Sequence, residues 1–315
     1  MSVLIDRIVQ VFSRNSAIEK RGKIWEWCYN QYSKTSITEE NLENMTGTSL
    51  VYGFFGGNGD GVLERAAVLK LAKALGILGI ENPEGGANHI PIINSYWIHI
   101  TESELLNQIE AKIGFDIRLP IFTAGRTVLG TDRGVISDRH CHYLWLMKRI
   151  VELCPDRNSA IIEIGAGLGL LGYFLDRAGY MDYTSIDLAN ASACQTYFLA
   201  KNLPDRNIIL SGEVTHPFDE AYKTDIKLLH YTDFKDIEKN RFSLMINLDG
   251  FTEMGIEVVT NYMKSDSSPL LLSVNHELNE FRVIDTHKPY RKLVYRYPFW
   301  VRDGYVEELY ELIEK

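Results

Sequence analysis

The residues best placed to do chemistry lie in "AIIEIGAGLGLLGYFLDRAG", from Ala160 to Gly179, where Glu163, Gly165, Gly167 and Gly169 recur at intervals of two. The glycines separate an apolar run from an amphipathic one, the pattern of a strand turning into a helix. Without a Cβ, such a turn lets the backbone come close to a ligand. A phosphate, a dinucleotide pyrophosphate or the methionine and ribose portions of S-adenosylmethionine could each use it.

Register separates these occupants. Laying G-x-G-x-x-G over Gly167, Gly169 and Gly172 places its first glycine two residues past the strand end at Gly165. It also sets Glu163 where a pyrophosphate would feel its charge. The alternative pattern, an acidic residue followed by G-x-G-x-G, fits Glu163, Gly165, Gly167 and Gly169 without slippage and suits a ligand that carries a cation and no phosphate. A second strand, "YTSIDL", ends in Asp187, whose carboxylate can accept both hydroxyls of a ribose. Ala166 in the turn and Leu188 after Asp187 complete this wall, and Tyr231 in "LLHYTDF" either stacks on an adenine or packs in the core.

Transfer to a hydroxyl calls for a general base near the reacting centre. Two strand ends offer candidates: Asn247, Asp249 and Glu253 in "INLDGFTEM", then Asn275, His276 and Glu277 in "VNHE". Histidine is the residue type most often used as a base near neutral pH, which singles out His276. Asn247 belongs with the cofactor wall. Asp249 and Glu253 carry oxygens that suit a divalent cation, but spacing alone defines no metal site and none is assigned. His140 and His142 fall in a helix, where positions two apart face different sides, so no metal pair is expected; for His142 and Arg139 a helix-surface role is expected ahead of one facing the cofactor pocket. Arg282, His287, Lys288, Arg291, Lys292, Arg296 and Arg302 make the last third locally basic, a charge able to attract an anionic saccharide.

The elements that position these groups change character along the chain. Residues 1–126 read mainly as helices with breaker clusters. "IEKRGKIWEWCYNQY" spaces Ile24, Trp27, Cys28 and Gln31 helically, and Leu63, Ala67, Leu71 and Leu75 form one stripe. Gly56, Gly57, Gly59 and Gly61 mark a turn before Asp60, and Asn82 to Pro91 a second. Thr101 and Glu104 make a capping box, and Ser137 or Asp138 starts a helix that runs to Cys154. Residues 127–315 then alternate strand with helix, which predicts an α/β domain with a mostly parallel sheet and helices on both faces. The segment from Ile208 to Asp225 is an extra strand or an insertion, and the tail from Lys292 predicts a strand followed by a helix.

Composition bounds the partners. With 315 residues, 45% hydrophobic and 24% charged, the chain is long enough for a large core. A formal charge of −9 argues against a general nucleic-acid binder. Cys28, Cys141, Cys154 and Cys194 show no paired spacing, and no apolar run is of membrane-spanning length. A cytoplasmic protein with a small-molecule or saccharide substrate, no membrane and no nucleic-acid partner is expected; its oligomeric state stays open.

The loop from Glu163 to Gly169 together with Asp187 resembles the class I S-adenosylmethionine-dependent methyltransferases. "FSLMINLDGFTEM" is similar to the hydrophobic-N-x-x-S-x-x-E-M segment of a family of sugar O-methyltransferases found in bacterial polysaccharide gene clusters. Asn247, Glu253 and Met254 match, while Gly250 stands where that family has serine. "DRGVISDRHCHYLWL" and "RYPFWVRDGYVEELY" resemble its lead-in and close, so the likeness runs from Thr127 to the C-terminus. It implies a Rossmann-like methyltransferase fold, S-adenosyl-L-methionine as donor, and O-methylation of a sugar in polysaccharide biosynthesis, with residues 1–126 capping the substrate side or making an oligomer. Methylation of a non-sugar metabolite, or a cofactor-fold binding protein without turnover, remain the alternatives.

Overall fold

Four short apolar runs build the centre of the molecule because each can be buried at every position or nearly so. They are β3 (Ile161–Ile164), β4 (Tyr183–Asp187), β6 (Ile226–His230) and β7 (Leu244–Leu248). Burial on both faces is the signature of parallel strands covered on two sides by helices. The computed structural model describes residues 2–21, 26, 37–45, 62–78, 100–120 and 129–313. Within these, β5 (Ile208–Leu210), β8 (Leu270–His276), β9 (Arg291–Pro298) and β10 (Tyr305–Leu312) complete an eight-stranded sheet ordered β5–β6–β4–β3–β7–β8–β10–β9. All neighbours pair in parallel except β10, which is antiparallel to both β8 and β9.

The chain moves outward from β3 to β4 and on to the edge at β5, comes back to β6, and then crosses to the other side of β3 at β7. Right-handed crossovers in opposite directions put the helices on opposite faces. Such a reversal opens a crevice at the carboxyl ends of the strands, between β3 and β7. The core beside it gathers Ile162, Ile164, Met245, Phe251, Val259, Met263, Leu271 and Tyr310, all nearly inaccessible.

Helix α6 (Leu170–Arg177, numbered after five helices upstream) follows the glycine turn and buries Leu171, Phe174 and Leu175. It lies close on β4 because Gly172 has no side chain: a Cβ there would come within 2.5 Å of the Tyr183 ring. We expect Gly172→Ala to cost about 1–3 kcal/mol through overpacking, read as a lowered urea midpoint. Helix α7 (Ala189–Asn202) covers β4 and β6, and α1 (Ser2–Ser16) packs on α7 with Ile8 and Val11 buried. Arg7 ties α1 to Glu213 by two contacts of 2.8 Å.

At the amino ends of the strands, Asp182 accepts from Lys227 Nζ at 3.2 Å and from Arg241 Nη2 at 2.6 Å, with the Lys227 side chain fully buried. Burial lowers the Lys227 pKa, and Asp182 opposes that shift.

The chain divides into two compact units. One holds residues 1–54, 156–299 and 303–315, the other residues 55–155 and 300–302. The anticipated boundary between residues 126 and 127 falls inside the second unit, and α1 belongs with the sheet. That second unit contains α3 (Val62–Ala74), α4 (Glu102–Ile113), a hairpin of β1 (Leu129–Thr131) and β2 (Gly134–Ile136), and α5 (Asp138–Leu153). The short α2 (Glu39–Glu43) lies in the first unit. Ala67, Leu71 and Leu75 are buried along α3, and Thr101 with Glu104 forms the anticipated capping box. Ile24, Trp27, Cys28, Gln31, the glycines from Gly56 to Gly61 and the cluster from Asn82 to Pro91 lie outside the described residues.

Two expectations change. The tail forms no helix over Val306–Leu312: it is β10, returning between β8 and β9. His140 and His142 sit on α5 as anticipated, but both are buried, so His142 is not on the surface. His140 Nδ1 accepts from the Ser137 backbone N–H at 3.0 Å, and burial lowers its pKa to about 4. The extra segment after α7 supplies β5, a parallel edge strand.

Candidate functional site

The turn between β3 and α6 places all three glycines in the left-handed region, Gly165 at φ +73°, Gly167 at +58° and Gly169 at +87°. Residues with a Cβ rarely adopt this geometry, which accounts for glycine at every second position. Gly165 also has no room: a Cβ would lie 2.9 Å from Met254 Cε. Ala166 between them is fully buried.

Asp187 closes the turn from β4. Its Oδ2 accepts from Gly167 N at 2.9 Å and from Gln195 Nε2 of α7 at 3.0 Å, while Oδ1 accepts from Leu188 N at 2.7 Å. Burial pushes its carboxyl up to about 7, against these hydrogen bonds. Gln195 is a member that the sequence reading missed; its other atom, Oε1, accepts from Ser185 Oγ at 2.7 Å.

Glu163 does not stand on an open rim. It is fully buried, and Oε2 accepts from the Tyr183 hydroxyl at 2.5 Å, a diagonal cross-strand contact that the missing side chain at Gly172 permits. Oε1 is buried with no hydrogen-bond partner. Burial pushes this carboxyl up to about 8, so in the free protein it is mostly protonated at neutral pH. Stability from holding that proton is fully present below the usual value of 4.5 and is lost as the pH rises through about 8. Glu163→Gln keeps an acceptor for Tyr183 and removes this loss. The variant is therefore expected to gain on the wild type by up to about 1.4 kcal/mol per pH unit over that interval, measured by thermal melts at successive pH values.

Asn247 ends β7 as a brace across the crevice. Its Nδ2 donates to Ile164 O at 2.7 Å, and its Oδ1 accepts from Phe251 N at 3.0 Å and Asn275 Nδ2 at 2.8 Å. The amide is thereby committed to holding the ends of β3, β7 and β8 together. Gly250 follows from the same packing, because a Cβ there would meet Asn247 Nδ2 at 2.8 Å. Serine could not be accommodated without moving the brace.

Beyond this brace three side chains converge from β7, β8 and β10. Asp249 is a non-glycine residue at φ +62°, a strained conformation of the kind that collects at functional sites. Its Oδ1 accepts from the hydroxyl of Tyr305, and its backbone N–H donates to Val274 O at 2.8 Å. The His276 ring packs edge-on against Tyr305 with centroids 5.1 Å apart. His276 Nδ1 accepts from the Leu278 N–H at 3.1 Å, so in the neutral ring the proton sits on Nε2. The histidine in this arrangement is a donor; serving as base would break the Leu278 bond. Glu253 is the third residue of the four-residue α8 (Phe251–Met254), half-buried, its N–H donating to Gly250 O. Among the described residues no group of three or more His, Cys, Asp or Glu could hold a metal ion. Tyr305 was absent from the sequence reading, because only the reversal of β10 brings it there.

At the far wall, Leu188 is half-exposed before α7. Tyr231 follows β6, its ring 4.4 Å from that of His230 and its hydroxyl accepting from Lys20 N at 2.7 Å. Of the basic residues of the last third, all but Arg302 line a separate cleft of about 660 Å³ with Asp285. Their charge is largely matched: Arg282 pairs with Asp285, Arg291 with Asp266, and Arg296 with Glu277 and Glu308.

No protein-family model matches the chain, and no curated protein matches it. Solved structures similar to it include the glycopeptide N-methyltransferase MtfA in complex with S-adenosyl-L-homocysteine, at 14% identity and TM-score 0.39 over 53% of this chain and 88% of that one. A SAM-dependent methyltransferase from Aquifex aeolicus aligns at 9% identity and TM-score 0.37, over 53% and 88%. The fibrillarin/Nop5p complex aligns at 9% identity and TM-score 0.39, over 58% and 88%. No described helix is long and apolar enough to cross a membrane.

Proposed function

We propose that this chain transfers a methyl group from S-adenosylmethionine to a hydroxyl of a sugar or saccharide-bearing acceptor. The observation that carries the reading is the left-handed glycine turn at the strand reversal, flanked by Asp187 and by a buried Glu163 oxygen without a partner. That oxygen suits the ammonium of the methionine portion, and the glycine turn presents backbone without side chains at the carboxyl end of β3. Asp187, with Ala166, Leu188 and Tyr231, would hold the nucleoside. When bound, the donor supplies an electrophilic methyl group on a sulfonium.

The acceptor side follows from Asp249, Tyr305 and His276. Ionised Asp249 takes the proton that the acceptor hydroxyl loses. The Tyr305 hydroxyl fixes the orientation of that carboxylate, and the Nε2–H of His276 is a donor available to an acceptor oxygen. A sugar, with several neighbouring hydroxyls, can use both groups at once, and "INLDGFTEM" resembles the corresponding segment of sugar O-methyltransferases. The test has two arms. Calorimetry with S-adenosylhomocysteine and with NAD is expected to show binding of the first alone; NAD binding without S-adenosylhomocysteine binding overturns the reading. Radiolabelled methyl is expected to move from S-adenosylmethionine to members of a panel of sugar nucleotides and glycans, and labelling of non-sugar hydroxyls alone would remove the sugar assignment.

A further inference from the structure

The segment after α1 reaches the carboxyl ends of β4 and β6 with a buried carboxylate. Glu19 Oε2 accepts from the N–H of Ala189, the first residue of α7, at 2.6 Å and lies 3.4 Å from His230 Nε2. Its Oε1 is 2.5 Å from Arg21 Nε, and the side chain is fully buried. The next residue, Lys20, donates its N–H to the Tyr231 hydroxyl. Two consecutive residues, Glu19 and Lys20, are thereby fastened beside the positions at which the proposed donor would lay its nucleoside, and Arg21 braces the first of them. Nothing in the packing of α1 on α7 demands an ionisable group there, since α1 is already held by Ile8, Val11 and Arg7. A carboxylate buried at this cost calls for another explanation.

We propose that Glu19 is a positioning residue of the methyl-donor site, acting with Asp187 as a carboxylate pair that shapes its nucleoside end. The inference rests on the S-adenosylmethionine reading above. Ala189 N is two residues from Asp187 in the same strand-to-helix turn, so the carboxylate that caps Ala189 fixes the backbone that aims Asp187. The two groups also repel: Glu19 adds to the burial that holds the Asp187 carboxyl up, against the N–H groups of Leu188 and Gly167 and the amide of Gln195. The other titratable groups coupled to Asp187 are Glu163 on β3, Cys194 on α7 and Tyr262 on α9 (Ile256–Ser265). His230 and Arg21 face Glu19 itself.

The test compares wild type, Glu19→Gln, Glu19→Ala and Asp187→Asn in the full chain, with S-adenosylhomocysteine as the probe. Affinity is measured by calorimetry from pH 5.5 to 8.5 beside a thermal melt. Glu19→Gln preserves an acceptor for Ala189 N but loses the charge opposite Arg21, so its melting temperature should fall less than that of Glu19→Ala. The pH midpoint below which its affinity fades should fall, because Asp187 ionises more readily once the neighbouring charge is gone. Glu19→Ala should bind about tenfold or more weakly, and Asp187→Asn should lose the part of the pH dependence centred near 7, leaving that of Glu163 near 8. A purely structural Glu19 would leave the midpoint unchanged in Glu19→Gln. If the wild type binds and both Glu19 variants match its affinity and midpoint, the proposal is overturned while the donor reading stands. If the wild type does not bind S-adenosylhomocysteine at any of these pH values, both fall.

Discussion

Asp249→Asn is expected to lower kcat by roughly 10²–10⁴-fold, the range for loss of a positioned general base, while S-adenosylhomocysteine binding stays within about twofold of wild type. The substitution keeps the backbone and the Tyr305 contact within reach. Asparagine tolerates the left-handed conformation that residue 249 adopts at φ +62°. Its amide oxygen can still accept from the Tyr305 hydroxyl. The negative charge and the capacity to take a proton disappear together. Single-turnover transfer of labelled methyl separates this loss from a defect in binding, and an unchanged rate would remove Asp249 from the chemistry. Tyr305→Phe should show a smaller fall, since it frees the carboxylate to rotate without removing it.

The largest expected effect on stability lies at the opposite end of the strands. Removing the shared carboxylate by Asp182→Ala leaves Lys227, with no exposed side-chain surface, and Arg241 without their common partner. Breaking one side of a buried ion pair costs about 3–5 kcal/mol. The backbone carbonyls of Asp225 and Lys223 still accept from Lys227 Nζ at 3.0 and 3.4 Å, and they offset part of its desolvation but supply no counter-charge. Urea denaturation should show a lower midpoint at an unchanged slope, the mark of lost stability without a change in the surface exposed.

The turn was legible because its constraints are local. Gly165, Gly167 and Gly169 answer to backbone conformation, and Asp187 answers to the end of the next strand, so pattern alone reaches them. What escaped was set by distant partners. Tyr305 meets Asp249 from 56 residues away, and Glu19 meets Ala189 from 170. Nothing near either position in the sequence announces the other. The tail misled for a different reason. Glu307 and Glu308 look like the solvent face of a helix, yet both are buried in β10, satisfied across the ladder by Tyr295 and Arg296 of β9. Periodicity counts charge as exposure, and paired buried charges defeat it. For His276 the sequence names the residue but not its tautomer, which depends on where the Leu278 N–H points.

The outer side of β9 has a consequence for how these molecules behave at high concentration. No strand among the described residues pairs with that side, so it offers unfilled backbone donors and acceptors, and it carries Val294 and Tyr297 largely exposed. An open edge of this kind is a template for a strand from another chain. Lys292 and Arg296 stand in the same strand, and Pro298 ends it without an N–H to offer. A foreign strand laid there would have to bury those cations or displace them from Glu311 and Glu308. The charges that looked, along the sequence, like bait for an anion thus also act as a guard against self-association.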